Sequence, residues 1–172
     1  FGIKDFSLTL RRANLADYLA ARPAIKMIGL VRENVVDRMI SNAMLGATGV
    51  VEMRRNPDSG ARGLTLDPAR IGEMLDEIAA ENADLRAMLG TLPSDRVRII
   101  RYEDLFSDPE TRQATLSACF AFLGVRDWAP QERMVKIIRT PVSQTITNYD
   151  ACLAAVAGTP HEDLLRAADT PA

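Results

Sequence analysis

The stretch IKMIGLVRENVVDRMIS, residues 25–41, carries the strongest signal of the fold in this chain. It opens with an apolar run typical of a buried strand, passes through Arg32, and ends in a helical pattern that carries Ser41. In an open α/β sheet, ligands sit beyond the carboxyl ends of strands, where a cation can meet a phosphate at the start of the next helix. The stretch therefore predicts a strand, a turn and a helix, with Arg32 and Ser41 as the two arms of an anion clamp.

Length and charge limit the kind of protein that this chain can be. Its 172 residues, 47% of them hydrophobic, suit one compact core, and we predict a single domain over 1–172. The formal net charge is −2, so no general basic field favours binding to nucleic acid or to an anionic membrane. Any anion must be held by a local site.

Cysteine and histidine are scarce. Cys119 and Cys152 lack the CxxC spacing, which favours buried thiols over a disulfide framework or a zinc site. His161 is the sole histidine and follows a proline, so we predict it at the start of a helix. A histidine-rich metal site or a Ser-His-Asp triad would have to be built around this one residue, and we expect no metal.

The chain shows no targeting signal. No apolar run reaches the length of a membrane span, and no segment has the charged start and apolar centre of a signal peptide. We therefore expect a cytoplasmic protein without a membrane span. The chain begins abruptly with FGIKDF and without an initiator methionine, so we also expect that an N-terminal portion is missing.

Short strand-like runs alternate with longer helical patterns, which is the signature of a parallel α/β sheet. Strands are predicted over 1–6, 26–31 and 96–102, parallel in one sheet, with Arg32 and Tyr102 opening on the same edge. One helix is predicted after an Asn14 cap and one over 35–47. Two more run from the cap Asp67 to about residue 88 and from the cap Asp108 to about residue 123, and a last one runs from Thr147 or Asn148 to residue 157. Taken alone, Arg32 also fits a surface arginine, and Tyr102 a core tyrosine.

Three segments, in order, resemble the sulfotransferase superfamily, which uses 3′-phosphoadenosine 5′-phosphosulfate (PAPS) as sulfuryl donor. Residues 26–41 are similar to the strand, arginine and helix serine that hold the 3′-phosphate of the donor. Residues 97–125 contain the YEDL strand end, an Asp-Pro helix start and a closing FLG. Residues 136–159 resemble the tail of bacterial carbohydrate and nodulation-type sulfotransferases.

The resemblance implies a fold and a nucleotide site. The fold would be P-loop NTPase-like, with three layers in which helices flank a parallel sheet. Arg32 and Ser41 would bind the 3′-phosphate, and Tyr102 would contact the adenine. Lys136 or Arg139 would close over the phosphate from a later loop. The acceptor implied by the tail is a hydroxyl of a carbohydrate or glycolipid, with residues 46–63 as the expected acceptor loop.

Catalysis would fall to Lys4, which is similar to the lysine that many sulfotransferases place beside the transferring group. A compact ammonium there stabilises the charge that builds on the bridging oxygen. Phe6 stands where cytosolic members carry a histidine base. The glycine- and serine/threonine-rich loop for the 5′-phosphosulfate should precede residues 2–4, and nothing in the chain matches it or the GxxxxGK[ST] motif.

Three functions therefore stay open. The leading expectation is a PAPS-dependent sulfotransferase, of which this chain alone is an inactive fragment because it is truncated or its nucleotide site is incomplete. The second is a non-catalytic nucleotide-binding or interaction domain of the same fold. The third is a P-loop kinase relative that acts on small molecules.

Overall fold

The computed structural model describes residues 2, 4–5, 7–48, 63–128 and 141–169. In these ranges the fold is mixed α/β and mostly helical. Its elements are α1 (Ser7–Arg12), α2 (Leu15–Ala20), β1 (Met27–Val31), α3 (Val35–Thr48), α4 (Ile71–Gly90), β2 (Val97–Arg101), α5 (Pro109–Leu123), α6 (Val142–Thr145), α7 (Tyr149–Ala155) and α8 (Pro160–Asp169). Among the helices of these ranges, none combines the length and the apolar character that a bilayer crossing requires.

The two strands pair in parallel, as predicted. Met27 lies opposite Val97 and Val31 opposite Arg101. The pairing extends one residue further, because the amide N–H of Tyr102 donates to the Val31 carbonyl at 2.7 Å. A parallel pair needs a long crossover connection, and residues 32–96 supply one that contains α3 and α4.

The predicted first strand, residues 1–6, is wrong for those of its residues that the structure describes. Gly2, Lys4 and Asp5 lie outside any strand or helix, and α1 begins directly afterwards at Ser7. A strand of this length is stable only on the edge of a neighbour, so its composition does not decide its conformation. In the described ranges the sheet has two strands.

Contacts divide the chain into two compact units. We call Phe1–Glu33 with Ala79–Pro130 the sheet unit, and Asn34–Ile78 with Gln131–Ala172 the helical unit. The division falls inside α4. The single domain expected over 1–172 stays a prediction.

The sheet unit has a small apolar core. Leu10 of α1 is buried with Met88 and Leu89 of α4, and partly buried side chains of α2, α4 and the two strands pack around them. Gly29 of β1 leaves room for Leu89, because a β-carbon at position 29 would overlap Cδ1 of Leu89 unless that side chain shifted. The glycine thus lets α4 lie close against the strand.

A buried arginine holds the turn between α2 and β1. Arg96 is only 6% exposed, and its guanidinium donates to four backbone carbonyls. The acceptors and their distances are Leu19 (2.6 Å), Ala20 (3.1 Å), Arg22 (2.7 Å) and Ile25 (3.1 Å). The last carbonyls of a helix have no partner within it, and a cation is the favourable donor at that end. One side chain therefore ends α2 and fixes the entry into β1.

The helical unit has the larger core. Helix α3, which was predicted over 35–47, buries the apolar stripe formed by Val36, Met39 and Ile40. They belong to a cluster of twelve buried residues, completed by Leu66, Ile71, Leu75, Ile78, Val142, Ile146, Cys152, Val156 and Leu165. Helix α8 packs against α3 and α6 within this unit.

Helix ends follow the predicted signals in most places. The Asp108 carboxylate accepts from the amide of Thr111 at 2.8 Å, and α5 ends at Gly124 with a φ of 72°. Asn14 behaves differently from the prediction. It precedes α2 in a left-handed conformation, φ 53°, and makes no side-chain cap. Asparagine tolerates this conformation, so it turns the chain between α1 and α2.

Candidate functional site

Arg32 and Tyr102 meet at the carboxyl ends of the two strands. Arg32 directly follows β1, and Tyr102 directly follows β2. The Cζ atom of the arginine lies 4.4 Å from the centroid of the tyrosine ring. A guanidinium over an aromatic face gains from the ring quadrupole. The structure thus brings together two of the residues that the sequence singled out, on the expected edge of the sheet.

A second aromatic ring lies against Tyr102. The ring of Phe106 is stacked on it, with centroids 4.5 Å apart and an interplanar angle of 28°. Arg32 and Phe106 both contact the ring, which leaves the hydroxyl of Tyr102 as the group that would hydrogen-bond an adenine. Phe106 was not predicted from the sequence, although its place four residues after Tyr102, across a short turn, is a usable signal.

The backbone that carries Arg32 is held from two sides. The side-chain amide of Asn82 in α4 donates to the Arg32 carbonyl at 2.8 Å. Glu33 forms an ion pair with Arg86, and its amide donates to the Glu103 carboxylate at 3.3 Å. Two arginines and two glutamates nearly cancel in charge, so a phosphate here would be recognised by directed donors more than by a general field.

Ser41 lies on α3 in the helical unit and is half-buried. The start of α3 is capped by Asn34, whose side-chain oxygen accepts from the amide of Asp37 at 2.9 Å. The pattern Asn-x-x-Asp is a helix-start signal that the sequence analysis did not use. Arg32 belongs to the sheet unit and Ser41 to the helical unit. A phosphate site formed by both residues therefore stays a prediction.

For the remaining predicted residues, the structure describes Lys4 alone. Lys4 is exposed and lies outside any strand. Lys136 and Arg139 lie outside the described residues. So do residues 49–62, which make up most of the expected acceptor loop. Their roles remain predictions from the resemblance.

The tail motif around Asn148 has a structural role. Its side-chain oxygen accepts from the Leu66 amide at 3.1 Å, and its side-chain nitrogen donates to the Leu66 carbonyl at 2.7 Å. The hydroxyls of Thr147 and Thr65 also bond, at 2.7 Å. A cavity of about 480 Å³ lies beside them, lined by residues 143 and 146–151. Because the amide is already used within the chain, this cavity offers little for recognition.

His161 stands in an arrangement that resembles a catalytic triad. Its Nε2 lies 2.8 Å from Asp76 Oδ1, and its Nδ1 lies 3.5 Å from the Thr159 hydroxyl. The hydroxyl donates to the Val156 carbonyl at 2.7 Å, so it has no proton to give to the imidazole. His161 therefore links α8 to α4, and its predicted place at a helix start is confirmed.

Both cysteines are buried free thiols, as predicted. Burial raises the pKa of the Cys152 thiol, and the charge of Asp67 adds to the effect. A thiol of this kind is a poor nucleophile. Within the described ranges, no three His, Cys, Asp or Glu side chains lie close enough to hold a metal ion.

No protein family, curated protein or solved structure that was compared matches this chain. Function is therefore inferred from the residues of the chain, above all from the contact between Arg32 and Tyr102 at the carboxyl ends of two parallel strands.

Proposed function

We propose that this chain is a sulfotransferase-type domain that binds PAPS, or its product adenosine 3′,5′-bisphosphate, at the carboxyl edge of the β1–β2 pair. The activity would be sulfuryl transfer to a hydroxyl of a carbohydrate or glycolipid. A three-layer, P-loop NTPase-like fold is part of this proposal. The observation that carries it is the guanidinium of Arg32, held over Tyr102 where parallel strands end.

Three residues would bind two different parts of the nucleotide. The planar fork of Arg32 can donate two parallel hydrogen bonds to the 3′-phosphate, and its stacking on Tyr102 limits the rotamers that it must give up. The hydroxyl of Tyr102 is a donor for a ring nitrogen of adenine. Ser41 would add a second donor to the phosphate.

The transfer step is a displacement at sulfur. The acceptor oxygen forms a new bond to sulfur as the bond from sulfur to the 5′-phosphate oxygen breaks, and the proton of the acceptor hydroxyl passes to water. Negative charge collects on the departing phosphate oxygen. An ammonium such as that of Lys4 would stabilise this charge if it stands beside that oxygen.

Calorimetry with two ligands tests the nucleotide site. We expect Arg32→Ala to weaken binding of adenosine 3′,5′-bisphosphate by about 1.5–3 kcal/mol, the value of a charge-assisted contact. Binding of adenosine 5′-phosphate, which lacks the 3′-phosphate, should change little. Arg12→Ala is the matched control, because Arg12 is an exposed arginine of α1. Equal losses for the two ligands would refute the assignment of Arg32.

A non-catalytic nucleotide-binding domain is the second candidate. The exposed position of Lys4, outside any strand, favours it. An assay of sulfuryl transfer from PAPS to a panel of sugars separates the two. Transfer that falls in Lys4→Ala supports the enzyme. Tight bisphosphate binding with no transfer to any acceptor supports the binding domain only if transfer is also absent from a chain extended to include a 5′-phosphosulfate loop, because this chain alone is expected to be inactive.

A further inference from the structure

The outer edge of β2 is open in the part of the chain that the structure describes. The amide of Tyr102 donates to the Val31 carbonyl, so the backbone of that residue faces β1. Successive residues of a strand face alternate edges, which turns the peptide groups of Ile99 and Arg101 away from β1. No further strand of the described ranges pairs with them. Such a row of donors and acceptors is a template for another strand.

A cavity of about 320 Å³ opens beside this edge. Strand β2 contributes Arg98 and Arg101 to its lining, and α5 contributes Ala114, Thr115 and Ala118. The small side chains of α5 leave room for a side chain that enters from outside. We call β2 together with these three residues the edge groove.

The edge groove includes an arginine with a buried donor atom. The Nε atom of Arg98 is shielded from solvent and makes no hydrogen bond within the described residues. Asp104 also lines the cavity, but its Oδ1 atom lies 4.0 Å from an Nη atom of Arg101 and is not paired with Arg98 Nε. A buried donor left unmet is costly, and a carboxylate is its strongest acceptor.

We infer that the edge groove binds an extended, acidic segment of a partner protein. The segment adds to β2 as a further strand, places a carboxylate on Arg98, and seats a neighbouring side chain over Ala114 and Ala118. A second copy of this chain fits less well, because pairing two β2 strands brings VRIIR against itself without an acid. The inference does not depend on the nucleotide site.

Selection from a displayed library of random octapeptides tests the inference on the full chain. We expect the enriched peptides to share one Asp or Glu within a run of β-branched and aromatic residues. The strongest peptide is then synthesised, with a Glu→Gln or Asp→Asn form and a form N-methylated at alternate amides. Fluorescence anisotropy should show that either change weakens binding at least about tenfold, because the first removes the charge and the second blocks strand pairing.

Two variants locate the site. Arg98→Met should weaken peptide binding about tenfold or more, and Ala118→Leu, which fills the cavity and keeps every charge, should weaken it as well. Arg12→Met, on α1, is the control that leaves binding unchanged, and circular dichroism confirms that each variant is folded. Three binding results would overturn the inference: enriched peptides that lack acidic residues, an N-methylated form that binds as tightly as the unmodified peptide, or site variants that both bind the peptide as tightly as the wild type. A dimer of this chain that is seen by sedimentation and that the selected peptide cannot dissociate would also overturn it.

Discussion

The two units of this chain are held together by different means. Among the described residues, the helical unit buries twelve in one hydrophobic cluster, whereas the cluster of the sheet unit buries three. The sheet unit relies in addition on Arg96 and its four carbonyl acceptors. Apolar burial is non-directional and tolerates small shifts, but a guanidinium needs its acceptors in fixed positions. One unit is therefore built on packing, and the other on a small core and directed bonds.

The surface shows the same contrast. Of the ten exposed large hydrophobic side chains among the described residues, eight lie in the sheet unit, namely Leu8, Tyr18, Ile28, Leu30, Ile99, Leu123, Val125 and Trp128. Single exposed apolar side chains are normal on a protein surface, and only a contiguous apolar patch indicates an interaction site. The Arg32–Tyr102 contact and the edge groove lie in this unit as well. Among the described residues, the unit with the smaller core therefore also exposes more of its large apolar side chains.

The largest effect is expected from Ile71→Ala in the helical unit. Ile71 is fully buried within the large cluster, so its truncation removes apolar contacts and leaves a cavity. We expect a loss of about 2–5 kcal/mol in the free energy of unfolding, measured by urea denaturation. The conservative Ile71→Val should cost about 0.5–1.5 kcal/mol.

Hydrogen exchange read by mass spectrometry locates that loss. Exchange should rise mainly in residues 35–48, 64–78 and 141–169, which share the core of Ile71. An equal rise throughout the chain would break the comparison, because the two units would then unfold as one.

A smaller effect is expected from Arg96→Met in the sheet unit. Methionine keeps much of the apolar stem but cannot donate, so the carbonyls at the end of α2 lose their shared partner. We expect a loss of about 2–3 kcal/mol, near the upper range for bonds to a charged group. Exchange should rise in residues 15–31.

The matched control for this variant is Arg12→Met, which removes an exposed arginine from the same unit and should leave unfolding unchanged. If Arg96→Met were as harmless as Arg12→Met, the small apolar core would hold the sheet unit unaided. The contrast drawn between packing and directed bonds would then be wrong.

The smallest effect concerns Asp108 at the start of α5. The hydrogen bond from the Thr111 amide holds the pKa of this carboxyl below its ordinary value of 3.8. A lowered pKa in the folded state stabilises the fold above the ordinary value, and this contribution is lost as the pH falls through the folded pKa. Thermal melting should therefore separate wild type from Asp108→Asn slightly at neutral pH and not at strongly acidic pH.

Asp108→Ala provides the comparison for that experiment. Alanine removes the cap as well as the charge, so its melting temperature should stay below that of Asp108→Asn at neutral pH. If the gap between wild type and Asp108→Asn widened on acidification, the pKa of Asp108 would be raised by folding, contrary to the prediction.

Much of the fold was predictable because its signals are local. The stripe of α3 repeats within two turns, and the Asp-Pro start and the Gly124 end of α5 each act within one turn. The parallel pairing of β1 with β2 was also predicted, because an intervening crossover of helices favours it. The strand predicted over 1–6 was wrong for its described residues, since a short strand depends on a neighbour that its own sequence does not specify.

Short-range sequence patterns were enough to predict where the principal helices and the two strands lie, and that Arg32 and Tyr102 stand at the carboxyl ends of those strands. They could not show that Arg96 binds carbonyls more than 70 residues away, or that the ring of Tyr102 contacts both Phe106 and the guanidinium of Arg32. The physical reason is range. Periodicity and caps depend on neighbours within one or two turns, whereas a guanidinium or an aromatic face takes whichever partner the packed chain brings to it.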